Sequence, residues 1–259
     1  MGASLVLKNN KSLGQHWLKD REILNEIADL AYEDDVELCL EIGPGLGTLT
    51  SSLLKNFEKV LAIEYDERLA RNLPKSFPGK NLEVLNADFL DFDLDEITEP
   101  YVVAGNIPYY ITSPIILKLA ETNNLPKKIV LLIQKEVAER IAADSGSHTV
   151  LSLSVQNRAY VELGPVVDRE FFTPPPKVDS QVIILEPHSP IVPEETIKLA
   201  KIGFSSPRKK LISNLPYEKS VLSLIFKEIG IPLDARASDL ELETWEKLRK
   251  SLEKVSHKR

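Results

Sequence analysis

Val36-Glu37-Leu38-Cys39-Leu40-Glu41-Ile42-Gly43-Pro44-Gly45-Leu46-Gly47-Thr48-Leu49-Thr50 decides the fold of this 259-residue chain. Val36 to Ile42 is an apolar run of strand length that breaks at Gly43-Pro44-Gly45. Leu46 to Leu54 then reads as a helix. A strand that turns through glycines into a helix opens a βαβ unit. Its loop lies at the carboxyl edge of the strand, where ligands bind in α/β sheets. Glycines let the backbone turn sharply and approach a ligand closely. The pattern is Gly-x-Gly-x-Gly, not the Gly-x-Gly-x-x-Gly expected for a pyrophosphate, so the loop alone is weak evidence for any one ligand.

Further along the chain the alternation continues. Val60 to Ile63, Leu82 to Leu85, Tyr101 to Ala104 and Ile129 to Ile133 read as strands. Ile111 to Ala120 and Lys135 to Ala143 read as helices. Upstream, Ile23, Leu24, Ile27, Leu30 and Ala31 have helical spacing, with Asp20 placed as N-cap. Strands alternating with helices predict an α/β fold with a mostly parallel, Rossmann-like sheet covered on both faces. From Val150 the pattern changes. Val150 to Val155, Val166-Val167 and Val182 to Leu185 read as strand pieces that can extend the sheet antiparallel. After Pro187 to Pro193 the chain turns helical to its end. We therefore expect a domain over 1–189 and a small all-α domain over 190–259, divided near 187–193.

The carboxyl ends of the first four strands carry Gly43, Glu64, Asp88 and Asn106. Glu64 stands about 20 residues after the glycine loop, where a carboxylate can bind both hydroxyls of a ribose. It tolerates an adenosyl ligand or NAD and disfavours a 2′-phosphate. Asp88 can accept from an adenine amino group. Asn106-Ile107-Pro108-Tyr109 follows a strand and combines an amide acceptor, a φ-restrained turn and an aromatic ring. Those are the parts of a pocket for a flat, amino-bearing ring. A single acidic residue at a strand end is more often a turn former, and Asn-x-Pro-Tyr alone fits an ordinary strand-to-helix turn. Four compatible residues on four successive strand ends favour a site.

Composition limits the alternatives. The net charge is −7, but it is unevenly spread. Residues 196–259 hold 14 Lys and Arg against 8 Asp and Glu, while residues 1–195 hold 18 against 31. Lys8, Lys11, Lys19 and Arg21 give the first 21 residues a basic excess as well. Such a distribution suits solvated helix faces, or a polyanion held by the two ends. The lone cysteine, Cys39, excludes an intrachain disulfide framework and a Cys-rich zinc site. The four histidines (His16, His148, His188, His257) are scattered without His-Glu-x-x-His spacing, so no metal is expected. No apolar run reaches the ~20 residues of a membrane span. Met1 to Lys11 lacks the apolar core of a signal peptide, so a cytoplasmic location is expected.

The chain resembles the KsgA-type ribosomal RNA adenine dimethyltransferases, Rossmann-like methyltransferases that use S-adenosylmethionine. The resemblance runs through Lys11-Ser12-Leu13-Gly14-Gln15-His16-Trp17-Leu18, Glu41 to Thr50, Glu64-Tyr65-Asp66, Asn106 to Tyr109 and Leu132-Ile133-Gln134-Lys135-Glu136-Val137. It continues in Phe172-Thr173-Pro174-Pro175-Pro176-Lys177-Val178-Asp179-Ser180, Arg208-Lys209-Lys210-Leu211 and Ala235-Arg236-Ala237-Ser238-Asp239-Leu240. It implies cofactor contacts at His16, Leu18, Gly43, Gly45, Glu64, Asp88 and Asn106. His16 stands where the family often has Asn, and Tyr110 where Asn is common.

The implied reaction moves a methyl group to the exocyclic N6 of two adjacent adenosines near the 3′ end of small-subunit ribosomal RNA, in an assembling small ribosomal subunit. The chain is expected to act as a monomer. Asn106 and the Ile107 or Pro108 carbonyl would hold the amine. Tyr109 and Phe172 would clamp the base, with the prolines after Phe172 presetting an exposed ring. Lys8, Lys11, Arg208, Lys209 and Lys210 would hold phosphates. The rival readings are a large-subunit adenine methyltransferase of the antibiotic-resistance type and a non-catalytic RNA-binding assembly factor.

Overall fold

The computed structural model describes residues 16–256. Lys8, Lys11 and most of the Lys11 to Leu18 motif lie outside them. In chain order the elements are β1 (Trp17–Leu18), α1 (Arg21–Ala31), β2 (Leu38–Ile42), α2 (Thr50–Asn56), β3 (Lys59–Glu64), α3 (Glu67–Ser76), β4 (Leu82–Asn86), β5 (Tyr101–Asn106), α4 (Thr112–Glu121), β6 (Ile129–Gln134) and α5 (Lys135–Ile141). Then come α6 (Val150–Gln156), β7 (Ala159–Val167), β8 (Phe172–Thr173), β9 (Ser180–Pro187), α7 (Glu194–Gly203), α8 (Lys219–Ile229) and α9 (Leu242–Ser256).

Seven strands form one sheet in the order β4-β3-β2-β5-β6-β9-β7. The pairs β2–β3, β2–β5, β3–β4 and β5–β6 are parallel, and β9 joins β6 antiparallel. The chain order reverses direction between β2 and β5, the kind of switch point where open α/β sheets bind ligands. β2 is buried at all five positions, as a parallel strand covered on both faces must be. Asp20 caps α1 as expected: its carboxylate accepts from the amides of Glu22 and Ile23, both at 3.0 Å.

Two compact units emerge from the packing. Among the described residues, one holds 16–135 and 162–187, and the other holds 136–161 and 188–256. The chain passes between them after 135, after 161 and after 187, so 136–161 group with the C-terminal helices; the two earlier crossings carry no linker-like composition. The helical unit has its own core, which includes Leu153, Phe226, Leu248 and the fully buried Trp245.

One expected element is corrected. Val150 to Val155, read as a strand from its β-branched and apolar content, is helix α6. Its start is a capping box. The Thr149 hydroxyl accepts from the Ser152 amide at 3.1 Å, and Ser152 Oγ accepts from the Thr149 amide at 2.8 Å. Two satisfied amides at the first turn, with Leu153 and Val155 buried, override the strand propensity of the run.

Candidate active site

The cleft that follows from this topology lies at the carboxyl ends of β2, β3, β4 and β5 and encloses about 320 Å³. Gly43, Glu64, Asp88 and Asn106 all line it, together with Ile107, Pro108, Tyr109, Gly45, His16 and Leu18. Parallel pairing in register explains the convergence. Ile42 lies beside Ile63 and Gly105, so the residues after these strands emerge at one edge.

The glycine loop takes its form from the backbone. Gly43, Gly45 and Gly47 have φ of 64°, 58° and 81°, in the left-handed region. At Gly45 a second reason applies, since a Cβ there would stand 3.2 Å from Trp17 Nε1. The loop is tied to the next strand. Glu64 Oε2 accepts from the Gly45 amide at 3.0 Å, and Oε1 accepts from the Asp66 amide at 2.8 Å. Burial raises the Glu64 pKa, and these amide hydrogen bonds pull it back down. Each carboxylate oxygen retains a lone pair for a ligand hydroxyl.

Asp88 both forms its turn and faces the cleft. Its Oδ1 accepts from the Leu90 amide at 2.8 Å. The ammonium of Lys118 braces that turn by donating to the carbonyls of Leu90 and Phe92 at 2.7 and 2.5 Å.

At the 106–109 turn, Asn106 Nδ2 donates to the His16 carbonyl at 3.0 Å. That bond assigns the amide orientation and leaves Oδ1 as the acceptor. His16 itself is explained by two contacts. Its Nδ1 lies 2.8 Å from the Pro174 carbonyl. A carbonyl only accepts, so Nδ1 carries the hydrogen. Its ring stacks on Tyr109, with centroids 5.9 Å apart and planes at 23°. The Tyr109 hydroxyl in turn lies 2.8 Å from Ser180 Oγ.

Phe172 does not occupy the expected place. β8 pairs antiparallel with β1, with Leu18 opposite Phe172 and Trp17 opposite Thr173. Cross-strand partners share a face. Phe172 therefore follows Leu18 into the core and is 3% exposed, while Phe171 is the exposed neighbour at 44%. The prolines set the backbone, but the short strand pair sets which ring is buried.

Glu41, Trp17, Tyr65 and Tyr110 also line the cleft, and no role for them was read from the sequence. Glu41 is the most consequential. It sits inside β2, 1% exposed, and its Oε2 has no hydrogen-bond partner. Burial pushes its pKa up to about 8; nearby Thr50 lowers it and the Glu64 charge raises it. Thr50 Oγ1 makes no hydrogen bond of normal geometry either, so the Glu41 carboxyl remains under-satisfied. A lone Glu in an apolar strand was the available signal, since a central strand seldom buries an acid without purpose.

Of the basic residues expected to hold phosphates, Arg208, Lys209 and Lys210 are exposed on the helical unit. Among the described residues there is no cluster of His, Cys, Asp and Glu suited to a metal, and no helix long and apolar enough to cross a membrane.

The family model for ribosomal RNA adenine dimethylase matches residues 6–254. The ribosomal RNA small subunit methyltransferase A of Nostoc sp. is 40% identical, over 94% of this chain and 97% of that one. The protein of the same name from Dehalococcoides mccartyi strain CBDB1 is 36% identical, over 94% of this chain and 88% of its own length. Among solved structures, a dimethyladenosine transferase from Plasmodium falciparum superposes with a TM-score of 0.80 at 30% identity, covering 93% of this chain and 98% of that one. The 23S rRNA methyltransferase ErmE superposes with a TM-score of 0.75 at 29% identity, covering 92% and 99%.

Proposed function

The chain belongs to the ribosomal RNA adenine dimethylase family, and from that premise we propose that it dimethylates N6 of two adjacent adenosines in small-subunit ribosomal RNA, using S-adenosylmethionine. The observation that carries this reading is the convergence of Gly43, Glu64, Asp88 and Asn106 from four strand ends on one cleft. The residues present fit the cofactor. Two carboxylates, Glu64 and Asp88, line the cleft, and beside them the Glu41 carboxyl, held neutral near pH 7 by burial, has an unpaired buried oxygen. Such a lining suits a ligand bearing a sulfonium and an ammonium. Glu64 would take the ribose hydroxyls, Asp88 the adenine amine, and the loop at Gly43 and Gly45 would lie against the remainder, with His16 and Leu18 completing the wall.

Bound S-adenosylmethionine supplies a methyl carbon made electrophilic by its sulfonium. The chain's task is to aim a poor nucleophile at it. The N6 lone pair of adenine is delocalised into the ring. Asn106 Oδ1 accepts one N6–H and helps draw that lone pair out of conjugation. Pro108 O already accepts from the Ile111 amide at 3.2 Å and from Thr112 Oγ1 at 3.4 Å. The Ile107 carbonyl is therefore assigned to the second N6–H. The N6 proton grows acidic as the new bond forms, so water can take it and no strong base is needed. The base leaves its stack to enter, and Tyr109 offers it an aromatic surface. Arg208, Lys209 and Lys210 hold phosphates of the RNA, and the chain works as a monomer in the cytoplasm.

Incubation of the protein with labelled S-adenosylmethionine and purified small or large ribosomal subunits, followed by mapping of the methylated base, tests this function. Label in two adjacent adenosines of small-subunit RNA is expected. Label in large-subunit RNA would transfer the chain to the activity named for ErmE, and no label in either would leave an RNA-binding factor. Affinity for RNA should fall steeply with salt.

A further inference from the structure

We propose that Ser180 is a positioning residue for the methyl transfer, holding the Tyr109 ring in place through a hydroxyl–hydroxyl hydrogen bond; the proposal deepens the reading above and rests on it. The two residues are 71 apart in sequence, and their oxygens are 2.8 Å apart. Ser180 opens β9 opposite Gln134 of β6 and is fully buried. A short side chain on a paired, buried strand is a fixed anchor. Tyr109 begins a single short 3₁₀ turn (Tyr109–Ile111) that has no side-chain cap. Its ring torsion is of the broad sp³–sp² kind and sets no sharp preference by itself.

Three contacts remove that freedom. The turn holds the backbone, His16 covers the ring at 5.9 Å, and Ser180 holds the far end. His16 is held in turn by the Pro174 carbonyl. The 174–180 segment thus supports Tyr109 twice, once through His16 and once directly. Burial and the nearby Asp179 charge raise the Tyr109 pKa, so its hydroxyl keeps its proton. The Ser180–Tyr109 bond is consequently a neutral one whose donor can be either oxygen. Reaction geometry is sensitive to shifts on the order of 1 Å, and a ring released at its hydroxyl end is free to tilt.

Tyr109→Phe and Ser180→Ala each remove one half of the bond and keep the ring. Single-turnover methylation with saturating RNA is expected to slow on the order of tenfold in each variant, an effect scaled from misplacement of reacting groups. The double variant is expected to be no slower than the worse single one. Cofactor affinity by calorimetry should not move in Ser180→Ala.

A second readout needs no turnover. In the cofactor-free protein with ¹³C-labelled tyrosine, the two edges of the Tyr109 ring should give separate resonances that merge in Ser180→Ala. Ser180→Cys keeps a short side chain with a weak donor at this buried site and weakens the bond, so it should behave like Ser180→Ala if the latter folds poorly. Multiplying rate losses, or a Tyr109 spectrum indifferent to Ser180→Ala, would overturn the positioning role. A wild-type protein that methylates no adenine would overturn the function instead, and the ring spectrum would still decide the role of Ser180.

Discussion

The 106–109 turn and the 172–180 segment have similar local chemistry: an aromatic ring within two residues of a proline, next to a strand. The turn keeps its polar and aromatic groups on the cleft. The segment sends Phe172 into the core and offers support from behind, through Pro174 O to His16 and Ser180 Oγ to Tyr109. The difference lies in neighbours. The turn emerges from a parallel strand at the sheet's binding edge, whereas Phe172 belongs to a two-residue strand whose partner, Leu18, is buried. Similar local chemistry therefore becomes a site in one place and scaffolding in the other.

The sharpest test of that contrast is Phe172→Ala. As a core truncation it should cost about 3–5 kcal/mol of stability, measured by denaturant titration, while the folded fraction keeps its chemistry. A fully stable Phe172→Ala with a large rate defect would break the comparison and return Phe172 to the pocket. Asn106→Ala is the mirror image. It should leave stability nearly intact and lower single-turnover methylation about 100- to 1,000-fold, the size of loss seen when an aimed polar group is removed from a transition state. Near-normal turnover would remove Asn106 from the mechanism.

Tyr109→Ala comes next. Loss of a stacking surface should weaken the enzyme's hold on the flipped base by about 1–3 kcal/mol, read from the fluorescence of a base analogue at the target position. An unchanged signal would show that the ring supports the turn without touching the base.

Glu41 extends the comparison to a group that is both buried and on the cleft. Its folded pKa, about 8, lies above the ordinary carboxylate value of 4.5. A raised pKa means that the folded state holds the proton more tightly than the unfolded chain does. The associated stability is full below pH 4.5 and is lost as pH rises to about 8. Relative to Glu41→Gln, the cofactor-free wild type should lose about 1.4 kcal/mol per pH unit inside that window. Denaturant titrations at pH 5, 6 and 7 would show it; parallel curves for the two proteins would place the Glu41 proton elsewhere.

Much of this was legible along the chain. Strand ends at Gly43, Glu64, Asp88 and Asn106 could be found because apolar runs and glycines mark where buried strands stop. Their common edge follows once the strands are taken as parallel. The β-branched run at Val150 misled because strand propensity and a helix cap compete there, and the cap at Thr149 and Ser152 involves side-chain geometry that spacing does not display. Phe171 and Phe172 were indistinguishable by composition. The role of His16 was open, since an imidazole can serve a ligand, a carbonyl or a ring equally well.

The α/β alternation, the family resemblance and the polar residue at each strand end are readable along the chain, because hydrophobic periodicity and glycine positions are local properties. Which way Phe172 points, that Glu41 keeps an unpaired oxygen, and that Ser180 and His16 contact Tyr109 follow from long-range packing. Each of those depends on a partner far away in the chain. Burial and hydrogen bonding are satisfied between segments, and no single segment contains the information about its partner's register.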